Sequence, residues 1–169
     1  MNQPVTASDP ARRAANVRLL CVDVDGVLTD AGMYYGSDGE VLKKFNTRDG
    51  MGLARVREAG VAVALISGED SAIVHARAAK LSIEDIFTGV SNKRAVIEEL
   101  CAKRQIELEE VAFIGDDLND LSALECVGLA CAVADAAEPV KAVAHYVTDR
   151  RGGDGAVREV CELLIAAKR

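Results

Sequence analysis

Two short segments of the chain carry closely spaced carboxylates. Residues 23–26 read Asp-Val-Asp-Gly, and residues 115–120 read Gly-Asp-Asp-Leu-Asn-Asp. Carboxylate oxygens are hard ligands of the kind that Mg²⁺ takes, together with waters and a phosphate. An aspartate that stays free to attack can form an aspartyl phosphate, which divides a difficult hydrolysis into two steps. Asp25 follows Asp23 by two residues, where it can act first as general acid and then as general base.

Two further positions offer groups that bind phosphate oxygens. Ser67-Gly68 supplies a hydroxyl, and Lys93 supplies a cation that also offsets the repulsion between carboxylates and a phosphate. Taken singly, Ser67 is typical of a turn, Lys93 of a protein surface, and residues 115–120 of the polar cap of a helix. Their joint occurrence in one order, each at the end of a predicted strand, favours a phosphoryl-transfer site.

The elements that must position these residues alternate between strands and helices. Continuous apolar runs predict buried strands, and this alternation indicates an α/β fold: a doubly wound, Rossmann-like parallel sheet with helices on both faces. Because ligands in such folds bind at the carboxyl ends of the strands, we expect the polar residues to meet at one edge. A turn signal at residues 37–39 predicts an inserted β-hairpin, and Asp49 is the expected cap of the helix after it. The predicted strands are 19–24, 61–66, a short one within 86–90, 111–115, 128–134 and an edge strand at 146–148, and the last helix ends near Ala167.

A single domain over residues 18–169 is expected, since the chain has 169 residues and domains average about 150. Residues 1–17 lack the apolar centre of a signal peptide and are predicted to be a flexible lead-in. No apolar stretch approaches the roughly 20 residues of a membrane helix. The 20 basic and 27 acidic residues give a net charge of −7, which argues against nucleic acid or an anionic membrane as a partner. Five cysteines without a C-x-x-C pair indicate reduced thiols in a cytoplasmic protein.

The order of DVDGV, Ser-Gly, a lone lysine and GDDLND resembles the haloacid-dehalogenase-like phosphatase superfamily. This resemblance implies an enzyme, a phosphoric monoester hydrolase. It implies that Asp23 is the nucleophile and that Asp25 is the general acid and base. It also implies that the phosphate is bound by Ser67, Gly68 and Lys93.

The same resemblance implies a magnesium site. Its ligands would be Asp23, the backbone carbonyl of Asp25, and Asp116. Asp120 would support the metal ion or its waters from a second layer. Mg²⁺ is therefore the expected cofactor, and a phosphorylated small molecule is the expected substrate.

Three longer segments are similar to a capless branch of the superfamily that acts on 2-keto-3-deoxy sugar acids. They are GMYYGSDGEVLKKFNTRDGMGL from Gly32, GDDLNDL from Gly115, and GGDGAVREVCELLI from Gly152. The branch has no cap domain, and the chain is too short for one, because only a hairpin-sized insertion fits at about residues 30–46. The C-terminal tail would span about residues 150–169.

This branch also implies a homotetramer in which a neighbouring subunit roofs each active site. Tyr34, Tyr35 and Phe45 of the hairpin are the expected interface residues, with packing on their own subunit as the alternative. The glycine-rich tail would be flexible enough to reach a neighbouring active site. Arg158 would then meet an anionic group there.

One motif bears on which sugar acid is the substrate. Residues 67–69 read Ser-Gly-Glu, whereas members that act on the eight-carbon Kdo 8-phosphate commonly have Thr-Gly-Arg. A pair like Glu69 and Lys80 resembles the branch that acts on nonulosonate 9-phosphates of the KDN and sialic acid type. Arg77 and Arg48 are further candidates for binding the substrate carboxylate across a subunit boundary. We therefore favour a nonulosonate 9-phosphate, with Kdo 8-phosphate of lipopolysaccharide biosynthesis as the alternative.

Two hypotheses from other classes remain open at this point. Receiver domains also combine carboxylates, Mg²⁺, a hydroxyl and a lysine on a doubly wound sheet, but as phosphorylated switches. A non-catalytic partner of a sugar-acid cytidylyltransferase is the second alternative. Asp25 argues against both, since an acid/base group serves turnover. Multiple turnovers would separate the enzyme from either alternative.

Overall fold

Six parallel strands form the central sheet in the computed structural model, which describes residues 9–168. Every neighbouring pair in this sheet is parallel. The inner strands β1 (Leu19–Val22), β6 (Val111–Gly115) and β7 (Leu129–Ala132) are buried along their whole length, as expected for strands covered on both faces. The predicted doubly wound sheet is therefore confirmed. In spatial order the strands are β5 (Asp85–Phe87), β4 (Ala62–Ile66), β1 (Leu19–Val22), β6 (Val111–Gly115), β7 (Leu129–Ala132) and β8 (Tyr146–Val147).

The connecting helices cover both faces of this sheet. Helices α2 (Thr47–Glu58) and α3 (Ala72–Lys80) lead the chain from β1 towards β5, and the helices that lie between β5 and β8 in the chain lead it back. Because such crossovers are right-handed, the two groups lie on opposite faces. Between residues 9 and 168, no helix has the length and apolar character needed to cross a membrane. The remaining helices are α1 (Pro10–Asn16), α4 (Lys93–Arg104), α5 (Leu121–Leu124), α6 (Glu138–Val143) and α7 (Ala156–Ala167), with 3₁₀ turns at Leu108–Glu110 and Leu118–Asp120.

Part of the predicted flexible lead-in is a helix, so that prediction is wrong for residues 10–16. The Asp9 carboxylate accepts a hydrogen bond from the backbone N–H of Ala11 at 3.0 Å and caps α1. Ala14 and Val17 are buried, and α1 packs against α7. The burial of this apolar side holds α1 on the domain, whereas residues 1–8 lie outside the described part of the chain.

The predicted hairpin is present and forms a two-stranded sheet separate from the central one. Its strands β2 (Tyr34–Gly36) and β3 (Gly39–Leu42) are antiparallel. A bridge between Thr29 and Phe45 joins the two ends of the insertion. Among the described residues this insertion is the only one between β1 and α2, so no separate cap domain is built there.

Asp49 does not cap its own helix, contrary to the prediction. Asn46 is the N-cap of α2, because its side-chain oxygen accepts from the backbone N–H of Arg48 at 2.8 Å. The buried Asp49 carboxylate instead accepts from the backbone N–H groups of Gly155 at 3.3 Å and Arg158 at 2.8 Å. Since Gly155 has no side chain with which to cap α7, a carboxylate from α2 does so across the packed pair of helices.

The glycines at residues 152–155 pack against the loop that follows β1. The backbone N–H of Gly153 donates to the Val27 carbonyl at 2.9 Å. A Cβ atom on Gly152 would lie 1.8 Å from the carbonyl oxygen of Gly26, so this position needs glycine for a close approach and not for mobility. This loop is therefore packed against its own subunit and not flexible as predicted, and α7 after it belongs to the core. The expectation that the tail reaches a neighbouring active site stays a prediction.

Candidate active site

The carboxyl ends of three adjacent strands bring the predicted polar residues together. Asp23 follows β1, Ser67 follows β4, and Asp116 follows β6. A cavity of about 230 Å³ opens at this edge, and its lining includes Asp23, Asp25, Gly68, Glu69 and Asp116. Ligand pockets commonly measure about 300–1,000 Å³, so one chain provides room for a phosphate and little more.

Lys93 lies beneath this cavity and joins two of the acidic residues. It is the first residue of α4, whose N-cap is Asn92, and its side chain is 1% exposed. The Nζ atom donates to Asp23 Oδ1 at 2.6 Å and to Asp120 Oδ1 at 2.6 Å. The lysine is therefore an internal counter-charge of the acidic cluster and not a surface residue.

Asp120 is completely buried and uses both of its carboxylate oxygens within the protein. Besides the bond from Lys93, its Oδ2 atom accepts from the backbone N–H groups of Asp116 at 2.9 Å and Asp117 at 3.3 Å. Gly115 makes room for this arrangement, because a Cβ there would lie 2.5 Å from Asp120 Oδ2. Asp120 thus holds the Asp116 segment in place, which fits a supporting role behind the metal site.

The acidic cluster has the composition and spacing of a divalent cation site. Carboxylate oxygens of Asp23, Asp116 and Asp120 lie within 4.8 Å of one another. Gly26 has a φ of +87°, and a Cβ there would lie 2.0 Å from Asp116 Oδ2, so glycine lets this carboxylate approach the β1 loop. Such a set of hard oxygen atoms fits Mg²⁺.

Repulsion between the carboxylates of the acidic cluster also indicates that a cation binds there. Burial raises the pKa of Asp23 well above its ordinary value, and the nearby Asp120 carboxylate adds to the shift. Burial and the Asp120 charge likewise raise the pKa of Asp116 to about 7. A bound divalent cation relieves this crowding of negative charge and favours the ionised carboxylates.

Asp25 has a partner that the sequence analysis missed. Its Oδ1 atom is 2.5 Å from the Nζ atom of Lys43, which comes from the hairpin. Its Oδ2 atom accepts a long hydrogen bond from the Ser67 hydroxyl at 3.4 Å. Lys43 and Lys44 are adjacent and alike in the sequence, so no local signal separates the lysine that faces Asp25 from its neighbour.

Of the residues predicted to bind the sugar acid, only Glu69 lies in the same cavity. Lys80 is at the far end of α3, roughly 13 Å along the helix from its start, and lines a separate cavity of about 590 Å³. The Arg77 guanidinium stacks 5.5 Å from the centre of the Phe45 ring and donates to the Asn46 carbonyl. Within one chain, therefore, Glu69 does not meet Lys80 or Arg77.

The other two predicted arginines lie apart from the catalytic cavity. Arg48 and Arg158 both line a cavity of about 190 Å³ beside the start of α7. Arg158 also donates through Nε to Glu162 at 2.6 Å. The structure thus brings these two side chains together, but places them in a different cavity from Asp23, Asp25 and Asp116 of their own subunit.

The raised pKa of Asp116 predicts how stability changes with pH when no metal is bound. In the folded protein this carboxyl keeps its proton from its ordinary pKa of 3.8 up to about 7, so its contribution to stability is lost as the pH rises through this range. In EDTA we expect the melting temperature to fall more between about pH 5 and pH 7 for the wild type than for Asp116→Asn. With Mg²⁺ the trend should reverse, because the metal binds the ionised carboxylate. Thermal unfolding measures this, and identical pH profiles for the two proteins in EDTA would contradict it.

Comparison with known proteins shows to which protein family the chain belongs. A family model described as haloacid dehalogenase-like hydrolase matches residues 69–160. The chain belongs to this family. Together with the relatives described next, this match confirms the predicted enzyme, a phosphatase of the haloacid-dehalogenase-like type, over the receiver-like switch and the non-catalytic partner.

Close relatives carry one specific name. The 3-deoxy-D-manno-octulosonate 8-phosphate phosphatase of Escherichia coli strain K12 is 47% identical over 165 residues, 98% of this chain and 87% of that protein. The crystal structure of the phosphatase of the same name from Yersinia pestis is 46% identical with a TM-score of 0.92, covering 95% of this chain and 86% of that one. The Moraxella catarrhalis structure, in complex with magnesium ion, phosphate ion and KDO, is 40% identical with a TM-score of 0.92 and covers 95% and 92%.

Proposed function

We propose that this chain is a Mg²⁺-dependent phosphatase that hydrolyses 3-deoxy-D-manno-octulosonate 8-phosphate. The arrangement of Asp23, Asp25, Lys93 and Asp116 at one edge of the sheet carries the reaction type. The eight-carbon substrate is supported by the names of relatives that are 46–47% identical over nearly the whole chain. The Moraxella catarrhalis relative, whose structure is in complex with magnesium and phosphate ions, supports the cofactor.

In the proposed mechanism, a carboxylate oxygen of Asp23 attacks phosphorus and the bond from phosphorus to the sugar oxygen breaks. Asp25 gives its proton to the departing alcohol, which leaves an aspartyl phosphate on Asp23. Asp25 then takes a proton from water as the water attacks phosphorus, so free phosphate leaves and both carboxylates return to their starting states. The two steps thus use two carboxylates in different surroundings. The nucleophile Asp23 is buried, and the side chain of the acid and base Asp25 is 29% exposed at the opening of the cavity.

The remaining polar groups would stabilise charge on the phosphoryl oxygens. We assign the Ser67 hydroxyl and the Gly68 backbone to phosphate binding, with Lys93 offsetting the negative charge from below. Asp23, the backbone carbonyl of Asp25, and Asp116 would hold Mg²⁺, with Asp120 behind them. Bound there, Mg²⁺ supplies positive charge to the phosphoryl oxygens.

The eight-carbon acid replaces the nonulosonate that the sequence analysis favoured. That preference depended on Glu69 and Lys80 acting as a pair, and the two side chains lie in different cavities of one chain. The relatives' names agree with the alternative substrate. Glu69 remains the one predicted substrate-binding residue that faces the catalytic cavity.

A homotetramer is part of the proposal. Tyr34 and Tyr35 are 47% and 64% exposed on the hairpin, and apolar side chains exposed together are typical of an interface. Phe45, by contrast, packs against its own subunit beneath Arg77. Light scattering of the purified protein tests this oligomeric state, and a monomer would contradict it.

The cysteines bear on the cellular location. All five are free and four of them are buried, so we propose the cytoplasm, a reducing compartment, as the location.

The substrate is tested by measuring phosphate release with Mg²⁺ from Kdo 8-phosphate and KDN 9-phosphate side by side. We expect kcat/KM to be at least about tenfold higher for the eight-carbon acid, a difference of about 1.4 kcal/mol in transition-state binding. A preference for the nine-carbon acid would restore Glu69 and Lys80 as a specificity pair. Release from neither would remove the substrate class, and one phosphorylation per chain without turnover would favour the switch.

A further inference from the structure

Lys43 differs from the hairpin around it in its burial. Tyr35, Val41 and Leu42 are all more than half exposed as whole residues, whereas Lys43 is 9% exposed and its side chain alone is 1% exposed. Lys44, the next residue, is 62% exposed. A long cationic side chain is seldom buried to this extent unless its charge is paired, so its partners decide what it does.

The partners of Lys43 form a chain of contacts from α3 to Asp25. Its Nζ atom lies 2.5 Å from Asp25 Oδ1 and 2.6 Å from Glu40 Oε1. The other oxygen of Glu40 accepts from the Ser71 hydroxyl at 2.9 Å, and Ser71 is the N-cap residue of α3. The ammonium group is therefore held between two carboxylates, one of which is anchored to a helix of the body.

We propose that Lys43 is a positioning residue of the phosphatase reaction, orienting the Asp25 carboxylate for proton transfer to the leaving oxygen. This inference rests on the proposed function, in which Asp25 is the acid and base. Lys43 occupies Oδ1 and leaves Oδ2 on the side of Ser67, where the phosphate would bind. Fixing the carboxylate in one rotation keeps that oxygen in line with the departing alcohol, which is the benefit of a preorganised catalytic group.

A role in positioning the acid differs in its consequences from simply docking the hairpin. An alkyl phosphate such as the sugar-acid ester has a poor leaving group and depends strongly on a proton donor. An aryl phosphate such as p-nitrophenyl phosphate leaves as a stabilised phenolate and depends on it weakly. Loss of orientation at Asp25 therefore slows the first reaction selectively, whereas general damage to the site slows both.

The test compares Lys43→Met with its matched control Lys44→Met, a change of the same type one residue away on a lysine that pairs with exposed Asp30. For Lys43→Met we expect kcat on Kdo 8-phosphate to fall about 10²-fold with KM little changed, because general acid catalysis contributes 10²–10⁴-fold. On p-nitrophenyl phosphate we expect a fall of less than about fivefold. Lys44→Met should resemble the wild type on both substrates, and Lys43→Arg should recover part of the lost rate.

The other possible outcomes contradict the role of Lys43, and they show whether the proposed function fails with it. Equal losses on both esters, or no loss, would overturn the positioning role while leaving the phosphatase intact. A wild-type protein that hydrolyses neither ester would remove the proposed function, and the role of Lys43 with it. If Lys43→Met does not fold, Glu40→Gln weakens the same anchor without touching Asp25, and a loss there that is not selective for the alkyl ester overturns the proposal.

Discussion

Replacement of Asp23 by asparagine will lower the rate of phosphate release by about 10⁴-fold or more. Removal of a nucleophile has effects of this order in enzymes with covalent intermediates. The amide cannot attack phosphorus, and it also takes away one of the oxygens assigned to the cation. The rate on Kdo 8-phosphate with Mg²⁺ measures this loss, and retention of more than about a tenth of the activity would contradict the role of Asp23.

The same variant should not lose stability in the absence of metal. Burial, and after it the neighbouring Asp120 carboxylate, raise the pKa of the Asp23 carboxyl, so neutralising this residue removes an unfavourable buried charge. In EDTA we expect a melting temperature equal to or above that of the wild type, and a smaller rise on addition of Mg²⁺. Asp149→Asn, which changes the same charge at an exposed position, is the control and should behave as the wild type in both assays. An Asp23→Asn protein that is inactive because it is unfolded would not support the mechanism.

Replacement of Lys93 by methionine will affect both stability and activity. Its buried amine bonds to two carboxylates, at 2.6 Å each, and the variant leaves Asp23 and Asp120 without their counter-charge. Breaking a buried ion pair by removing one partner costs about 3–5 kcal/mol. We also expect at least a 10²–10³-fold loss of kcat, the order seen when one charge-stabilising group is removed. Urea unfolding in EDTA and phosphate release with Mg²⁺ measure the two effects.

A lysine on the same helix provides the control for this prediction. Lys103 lies near the end of α4, is 70% exposed and is 3.5 Å from Asp85, so Lys103→Met should change stability by less than about 0.5 kcal/mol. Combining Lys93→Met with Asp120→Asn should restore part of the stability, since one uncompensated charge is removed. Full additivity of the two changes would show that the Lys93–Asp120 contact carries no energy.

Much of the site could be predicted from the sequence because of one topological rule. Parallel strands present their carboxyl ends at a common edge, so the residues after three apolar runs had to meet there. Asp23, Ser67 and Asp116 follow β1, β4 and β6 as predicted, and Lys93 reaches them from the start of α4. The resemblance to the haloacid-dehalogenase-like superfamily depends on these same motifs.

The errors concern residues whose partners are distant in sequence. Asp49 has the position of a cap for α2 but caps α7, because those two helices pack together. Gly152 belongs to a segment that reads as flexible, yet it is needed where two backbones nearly touch. The pairing of Glu69 with Lys80 at the substrate stays a prediction, since the length of α3 separates the two only within one chain.

The sheet, the class of enzyme and the acidic cluster could all be predicted from the residues, since apolar runs and motif spacing are local properties that parallel topology converts into position. Which lysine of the hairpin reaches Asp25 depended instead on the folded arrangement of the chain. Lys43 and Lys44 have the same chemistry and are adjacent in the chain. The way the hairpin lies on the body buries Lys43 against Asp25 and leaves Lys44 exposed beside Asp30, and that choice follows from long-range packing, which no short stretch of sequence encodes.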